Sequence, residues 1–415
     1  MSQTPLKFDV TSPASKRDPF PLFAAMHAAG PVIRVRLPLV GPVWLTTTHA
    51  ATLAMVKNNE TFVQEGRHAG KSGVAGMQWW MPRRLQLLAN NMLQKDEPDH
   101  RRLRKLVDKA FARRGILEMR GRIETLADGL LDRLEGRGEV DLARDYSRQL
   151  PLQVICDLLG LPDADRSEFA EWTHRALTVK GPLDIFKMMA AISKITDYLK
   201  GEIAQVRRSP RPGLIAELVE DEADGDQLSE DELVSMVLLL LIAGFETTTH
   251  LISDSIVALE QHPEQKAWLL ADPGGRMEQA VEELARFNTP VQSTKPRYVA
   301  RDTEFFGAHL RRGELVMGFL AAANADPAVF EAPDALRLDR FPNPHLVFSS
   351  GIHFCLGMQL ARVETQSALK QLYARFPDLR IAPPDEIPWA GRLGMRGVES
   401  LMARLGPSLD VRRAA

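Results

Sequence analysis

Residues 348–357 read Phe348-Ser349-Ser350-Gly351-Ile352-His353-Phe354-Cys355-Leu356-Gly357. A lone thiol is usually a small buried hydrophobe. Here Cys355 is framed by Gly351 and Gly357, and His353 stands two residues before it. Glycine permits close backbone approach and dihedrals closed to other residues. A thiolate that carries iron needs both: little bulk around the sulfur, and backbone N–H groups able to point at it. The segment has the spacing Phe-x-x-Gly-x-His-x-Cys-x-Gly.

Bulk composition bounds the rest. The chain has 415 residues, 45% of them hydrophobic, enough for a large core. Charged residues make up 26% and the formal net charge is −2, which gives no global reason to expect nucleic acid. With two cysteines, Cys156 and Cys355, a disulfide framework is not expected. Cys156 closes the apolar run Leu150-Pro151-Leu152-Gln153-Val154-Ile155-Cys156 and reads as core. The start, Met1-Ser2-Gln3-Thr4-Pro5-Leu6-Lys7, lacks an apolar stretch of signal-peptide length. The most apolar window, Met236 to Phe245, falls far short of the roughly 18 residues of a membrane span. The expectation is a cytoplasmic, monomeric protein with no membrane partner.

Helical periodicity dominates from Asp99 to Leu284, and short strand-like runs lie at Val32–Val35, Trp44–Thr47, Phe305–Phe306, Leu315–Gly318 and Leu401–Arg404. The fold class is mainly α with a small β portion. The stretches Ser209–Gly213 and Glu220–Asp226 read as loops between helices. Ser229-Glu230-Asp231-Glu232 is a capping box, which starts a helix running to about Leu259. Between Val237 and Ile242 that helix is apolar on nearly every face, as in a central buried helix. Its middle, Ala243-Gly244-Phe245-Glu246-Thr247-Thr248, holds a glycine and two threonines, poor choices for a helix interior. A hydroxyl of Thr247 bonded four residues back to Ala243 would bend the helix and open a groove. A bend needed only for packing reads equally well from these residues alone.

Taken together, the cysteine loop, the segment Ala243–Thr248 and the Glu283-Leu284-Ala285-Arg286 sequence resemble the cytochrome P-450 family over essentially the whole chain. The resemblance implies one haem-enclosing domain over residues 1–415, with the P-450 fold and haem b as cofactor. It makes Cys355 the axial ligand of the haem iron, in a loop shaped by Gly351 and Gly357. It assigns dioxygen handling to Thr247, which orders water and the bound oxygen, and proton delivery to Glu246. It implies that Glu283 and Arg286 form a buried pair, linked to a later loop behind the cysteine segment. Four side chains match family positions for the haem propionates: His100, Arg104, Arg297 and His353. Arginine suits such carboxylates because its planar fork binds both oxygens. Arg101, Lys105 and Lys109 recur at i, i+4 and i+8, with Arg102 nearby. That stripe is a solvated helical face or, as the family implies, the docking face for a ferredoxin-type electron donor. Opposite charge would speed such docking and make it salt-sensitive.

Four positions depart from the family pattern. Ser349 and Ser350 stand where glycines are common in bacterial relatives. Arg340 fits the family arginine, but Arg337 stands where an acid is more usual, which leaves the third partner of Glu283 and Arg286 open. Ala325 replaces a frequent arginine.

Substrate contacts in the family come from scattered segments, which here hold Trp79, Trp80, Met188, Met189, Leu239, Ala243, Val291 and Met395. Mostly apolar positions fit a pocket with few polar anchors; the tryptophans and methionines serve equally well as ordinary core. The implied activity is a haem-thiolate monooxygenase. It would insert one atom of O2 into an apolar small molecule such as a fatty acid, terpenoid, steroid or aromatic. Electrons would come from NAD(P)H through a separate redox partner, since the chain shows no flavin or iron–sulfur cysteine motif. The alternatives are a peroxide-driven enzyme of the same fold and a haem-binding sensor or carrier without turnover.

Overall fold

The computed structural model describes residues 5–38, 40–72, 91–113, 115–162, 165, 168, 171–172, 184–220 and 228–409. Among the described residues the helices are α1 (Pro13–Arg17), α2 (Phe20–Ala29), α3 (His49–Lys57), α4 (Asp99–Arg113), α5 (Arg120–Leu134), α6 (Gln149–Leu159), α7 (Asp184–Arg208), α8 (Leu214–Glu220), α9 (Glu230–Gln261), α10 (Pro263–Ala271), α11 (Pro273–Asn288), α12 (Leu320–Ala323) and α13 (Met358–Arg375). The strands are β1 (Val32–Leu37), β2 (Gly41–Thr46), β3 (Phe62–Val63), β4 (Val140–Asp141), β5 (Arg297–Val299), β6 (Thr303–Phe305), β7 (Ala308–Leu310), β8 (Leu315–Gly318), β9 (Arg380–Ile381) and β10 (Met402–Arg404). Two compact units emerge: Met1–Gly76, Arg120–Leu150 and Thr247–Ala415 form the first, and Met77–Met119 and Pro151–Glu246 the second.

The first unit holds the β portion. Its main sheet runs β1-β2-β8-β5-β3. β1 and β2 pair antiparallel from Val32 opposite Thr46 to Leu37 opposite Gly41. Alternation sends successive side chains to opposite faces. Ile33, Val35, Val43 and Leu45 pack on Phe23 and Met26 of α2. Val32 and Trp44 face the other way, onto Met55 and Val56 of α3. Ala325 belongs to the first of these clusters and is 4% exposed. The family arginine is thus replaced by an apolar residue where apolar packing surrounds it. α13 packs against both α5 and α11, and Arg120 Nη2 donates to Gln366 Oε1 across the α5–α13 contact at 2.8 Å. Cys156, at 0% exposure, is core as expected.

A second sheet, β4-β10-β9, draws the short strand β4 from within the mainly helical stretch Asp99–Leu284. Asp141 Oδ1 accepts from Leu401 N at 2.9 Å and from Ala143 N at 3.1 Å. This pins the chain to a strand whose partner lies far off in sequence. A π-helical turn, Ala143–Ser147, follows.

In the second unit, α4 buries Leu103, Leu106, Val107 and Ala110 at i, i+3, i+4 and i+7, while Arg101, Lys105, Asp108 and Lys109 are exposed. α6 ends at Gly160, whose φ is +80°; a Cβ there would lie 2.6 Å from Pro212 O. That close approach seats the loop Ser209–Gly213, as expected between α7 and α8. Residues 221–227, most of the second expected loop, lie outside the described residues, as do Trp79 and Trp80.

α9 starts at the capping box. Glu232 N donates to Ser229 Oγ at 3.2 Å, and Ser229 N to Glu232 Oε2 at 2.9 Å. It contains a window of 18 residues with mean hydropathy 1.6, which corrects the expectation that no stretch reaches spanning length. Of that window 67% is buried, as in the core helix of a folded domain.

Candidate active site

The cysteine loop is fixed by backbone contacts. Cys355 N donates to Phe348 O at 3.0 Å and Phe354 N to Gly351 O at 3.1 Å. Gly351 has φ +73°, and a Cβ on it would meet Val56 O at 2.6 Å, so both dihedral and space demand glycine. Gly357 differs. It is the N-cap of α13 with φ −82°, and nothing of the polypeptide stands within 4 Å of a Cβ there. The thiol of Cys355 is half-buried. It precedes the N-terminus of an 18-residue helix, whose dipole favours negative charge there.

Behind the loop lies a buried charge network. Arg286 Nε and Nη2 donate to Glu283 Oε2 and Oε1 at 2.7 and 2.8 Å, with both side chains at 0% exposure. Arg340 Nε donates to the same carboxylate at 3.0 and 3.1 Å, and Asn343 Nδ2 at 3.1 Å. The open third partner is thus Arg340. Arg337 contributes its backbone N–H, at 3.1 Å from Glu283 Oε1, while its side chain reaches Glu331 at 3.4 Å. Arg286 Nη1 also donates to Asn324 O and Pro333 O, each at 2.9 Å.

Sequence reasoning missed the neighbouring acid. Glu282 accepts from Arg362 Nε at 2.6 Å and lies 3.2 Å from His345 Nε2. Burial alone would raise this carboxyl; hydrogen bonds from His345 and Arg362 outweigh burial and hold its pKa down at about 2. The Arg362 guanidinium lies 4.9 Å from the ring centroid of Phe348, the first residue of the cysteine segment. Glu282 therefore ties α11 to the loop and to α13 together. The adjacent acids were the only visible signal.

α9 is continuous through Ala243–Thr248. Phe245 and Thr248 are each 3% exposed. By contrast Leu239, Glu246 and Thr247 are half-buried and Ala243 is exposed. These positions recur at i, i+4 and i+7/i+8, so they share one face of the helix. Gly244 contributes closeness: a Cβ there would stand 3.3 Å from Ile155 Cδ1.

The family model described as Cytochrome P450 matches residues 172–271 and 276–388. The vitamin D(3) 25-hydroxylase of Pseudonocardia autotrophica is 39% identical over 407 residues, covering 96% of each chain. The chain is a cytochrome P450. Among solved structures, the polyketide-synthase P450 PksS of Bacillus subtilis superposes with a TM-score of 0.86 at 35% identity, covering 95% of this chain and 98% of that one. The myxobacterial CYP267B1, solved in complex with myristic acid, gives the same TM-score at 33% identity over 95% and 98% of the two chains.

Family membership implies haem, and the residues of this P450 fit it. Arg297 is 3% exposed on β5, its Nη1 reaching Asn59 Oδ1 at 3.3 Å and Val56 O at 3.4 Å. A guanidinium so deeply buried suits a carboxylate partner. His353 is half-buried in the cysteine loop. In the other unit His100 is 2% exposed, with Nδ1 4.0 Å from Glu97, and Arg104 Nε donates to Asp108 at 2.9 Å.

The basic stripe divides. Arg101, Lys105 and Lys109 are exposed, but Arg102 is half-buried in an ion pair with Glu232. Arg102 is corrected from docking residue to a tie between α4 and the start of α9. Of the substrate positions, Met188 and Met189 are half-buried on α7, as are Val291 and Met395 in the first unit.

Proposed function

We propose that this P450 is an O2-dependent monooxygenase for an apolar molecule the size of a fatty acid, steroid or polyketide. The carrying observation is the incompletely buried face of α9, where two apolar residues, Leu239 and Ala243, adjoin an acid and a hydroxyl, Glu246 and Thr247. The named relatives fit this class: a vitamin D(3) hydroxylase, a polyketide enzyme and a protein crystallised with myristic acid.

When bound, haem would supply the iron at which dioxygen is activated, with Cys355 as its thiolate ligand. Arg297, His353, His100 and Arg104 would hold its carboxylates. Leu239 and Ala243 would exclude water and offer an apolar wall. Thr247 would hold a water through its hydroxyl, and Glu246 would pass protons to it. The whole chain, residues 1–415, would act as a single haem-enclosing domain. Arg101, Lys105 and Lys109 would meet an acidic ferredoxin-type donor carrying electrons from NAD(P)H.

The test uses the haem-loaded protein with myristic acid and vitamin D3 as probes. Product is expected with a ferredoxin, its reductase and NADPH, and only in the presence of O2. Thr247→Ala should still consume NADPH but yield about tenfold less product per NADPH. Full coupling in that variant removes the role given to Thr247. Turnover with hydrogen peroxide far above that with the electron-transfer system would replace the proposal with a peroxygenase.

A further inference from the structure

Val291 and Met395 form an isolated antiparallel bridge. Gln292 N donates to Gly394 O and Arg396 N to Pro290 O, both at 2.8 Å. In extended backbone, successive side chains face opposite ways. Val291 and Met395 are half-buried, whereas Gln292 and Arg396 are 3% and 5% exposed.

That buried pair meets α1. Lys16 is 1% exposed, and its Nζ donates to Gln292 Oε1. Arg396 Nε donates to the backbone O of Lys16 at 2.8 Å and Nη1 to Asn288 Oδ1 at 3.0 Å. Nη1 also stands 3.8 Å from Asp254 on α9. Burial, reinforced by the charge of Arg396, pulls the Lys16 pKa down to about 7; charged or neutral, Nζ keeps protons to donate. One residue of a five-residue helix therefore holds both strands of the bridge, one through its side chain and the other through its carbonyl.

We propose that Lys16 is a positioning residue for the substrate pocket, setting the spacing and orientation of Val291 and Met395 through Gln292 and Arg396. This rests on the reading that Val291 and Met395 face the substrate. Lys16 touches neither substrate nor cofactor; it acts through the bridge, so it should govern what fits rather than how the iron is held.

The test is a spectral titration of the haem-loaded protein with 4-phenylimidazole and with imidazole. Both azoles bind the iron, but only the phenyl group reaches out to the pocket walls. Lys16→Met and Gln292→Met should each weaken 4-phenylimidazole binding by about fivefold, the order of one buried hydrogen bond. Imidazole binding and the thiolate-type absorption of the reduced carbon-monoxide complex should stay unchanged. The double variant should lose no more than either single one, because the two side chains share one contact. Val291→Ala and Met395→Ala test the underlying reading: if neither alters 4-phenylimidazole binding, the pocket assignment fails. If they do alter it while Lys16→Met and Gln292→Met do not, the positioning role is overturned. Equal weakening of both azoles also overturns it. Should Lys16→Met not take up haem, Gln292→Met alone decides by the same criteria.

Discussion

Ser349 stands at φ +59°, in the left-handed region, two residues before Gly351 at φ +73°. A side chain at such a dihedral stores roughly 1 kcal/mol or more. Glycine removes that cost, while Ser350, at φ −159°, is ordinary extended backbone with nothing to relieve. Ser349→Gly should therefore stabilise the protein by about 1 kcal/mol, read as a higher urea midpoint with unchanged haem content. A midpoint that falls or stays put would show that the serine is not strained. At this scale the sequence was readable where a residue type has a single use. Gly351 was legible because its position leaves no room for a Cβ. Gly357 has no such signature within the polypeptide, where its Cβ would meet nothing within 4 Å.

Between elements, Glu283 joins α11 to the chain around residues 331–343. Its carboxylate receives Arg286, Arg340, Asn343 and the N–H of Arg337. Glu283→Ala would leave two buried guanidinium groups without their acid, a loss of about 3–5 kcal/mol. The variant should yield little haem-loaded protein, measured as haem absorbance per chain after purification; a normal ratio would refute the network's importance. The i,i+3 spacing of Glu283 and Arg286 showed in the sequence because it is a local geometric fact, as did the capping box of α9. The remainder was not legible. A backbone N–H such as that of Arg337 carries no side-chain signature. Glu282 and Arg362 are eighty positions apart, and only the packing of α11 on α13 brings them together. β4 escaped for the same reason: its strand conformation is imposed by β10, not by its own two residues.

Across the whole molecule, two groups one turn apart on α9 give stability opposite dependences on pH. Burial, with Arg392 and Arg148 adding to it, holds the His250 pKa down at about 3. The unfolded chain then binds a proton below pH 6.5 that the folded chain refuses, so stability falls as pH drops from about 6.5 toward 3. Burial instead raises Asp254 to about 7, against the opposing pull of Arg396. There the folded state holds the extra proton, and stability falls as pH rises from 3.8 to about 7. Between about pH 4 and 6.5 the two slopes cancel, each at most about 1.4 kcal/mol per pH unit. His250→Gln should leave stability falling with rising pH across that range, and Asp254→Asn should leave it rising. Urea midpoints from pH 4 to 7 check both, and parallel profiles for the two variants would contradict the assignment.

The open face of α9 has a bearing on how such a protein diversifies. Leu239 and Ala243 share the less buried side of the helix, while Phe245 and Thr248 are each 3% exposed. On the proposed reading that this side meets substrate, substitution at the first two positions is expected to change what the protein accepts more than its stability, and at Phe245 and Thr248 the reverse. A lineage that varies the first pair would then shift among substrates at a small cost in stability.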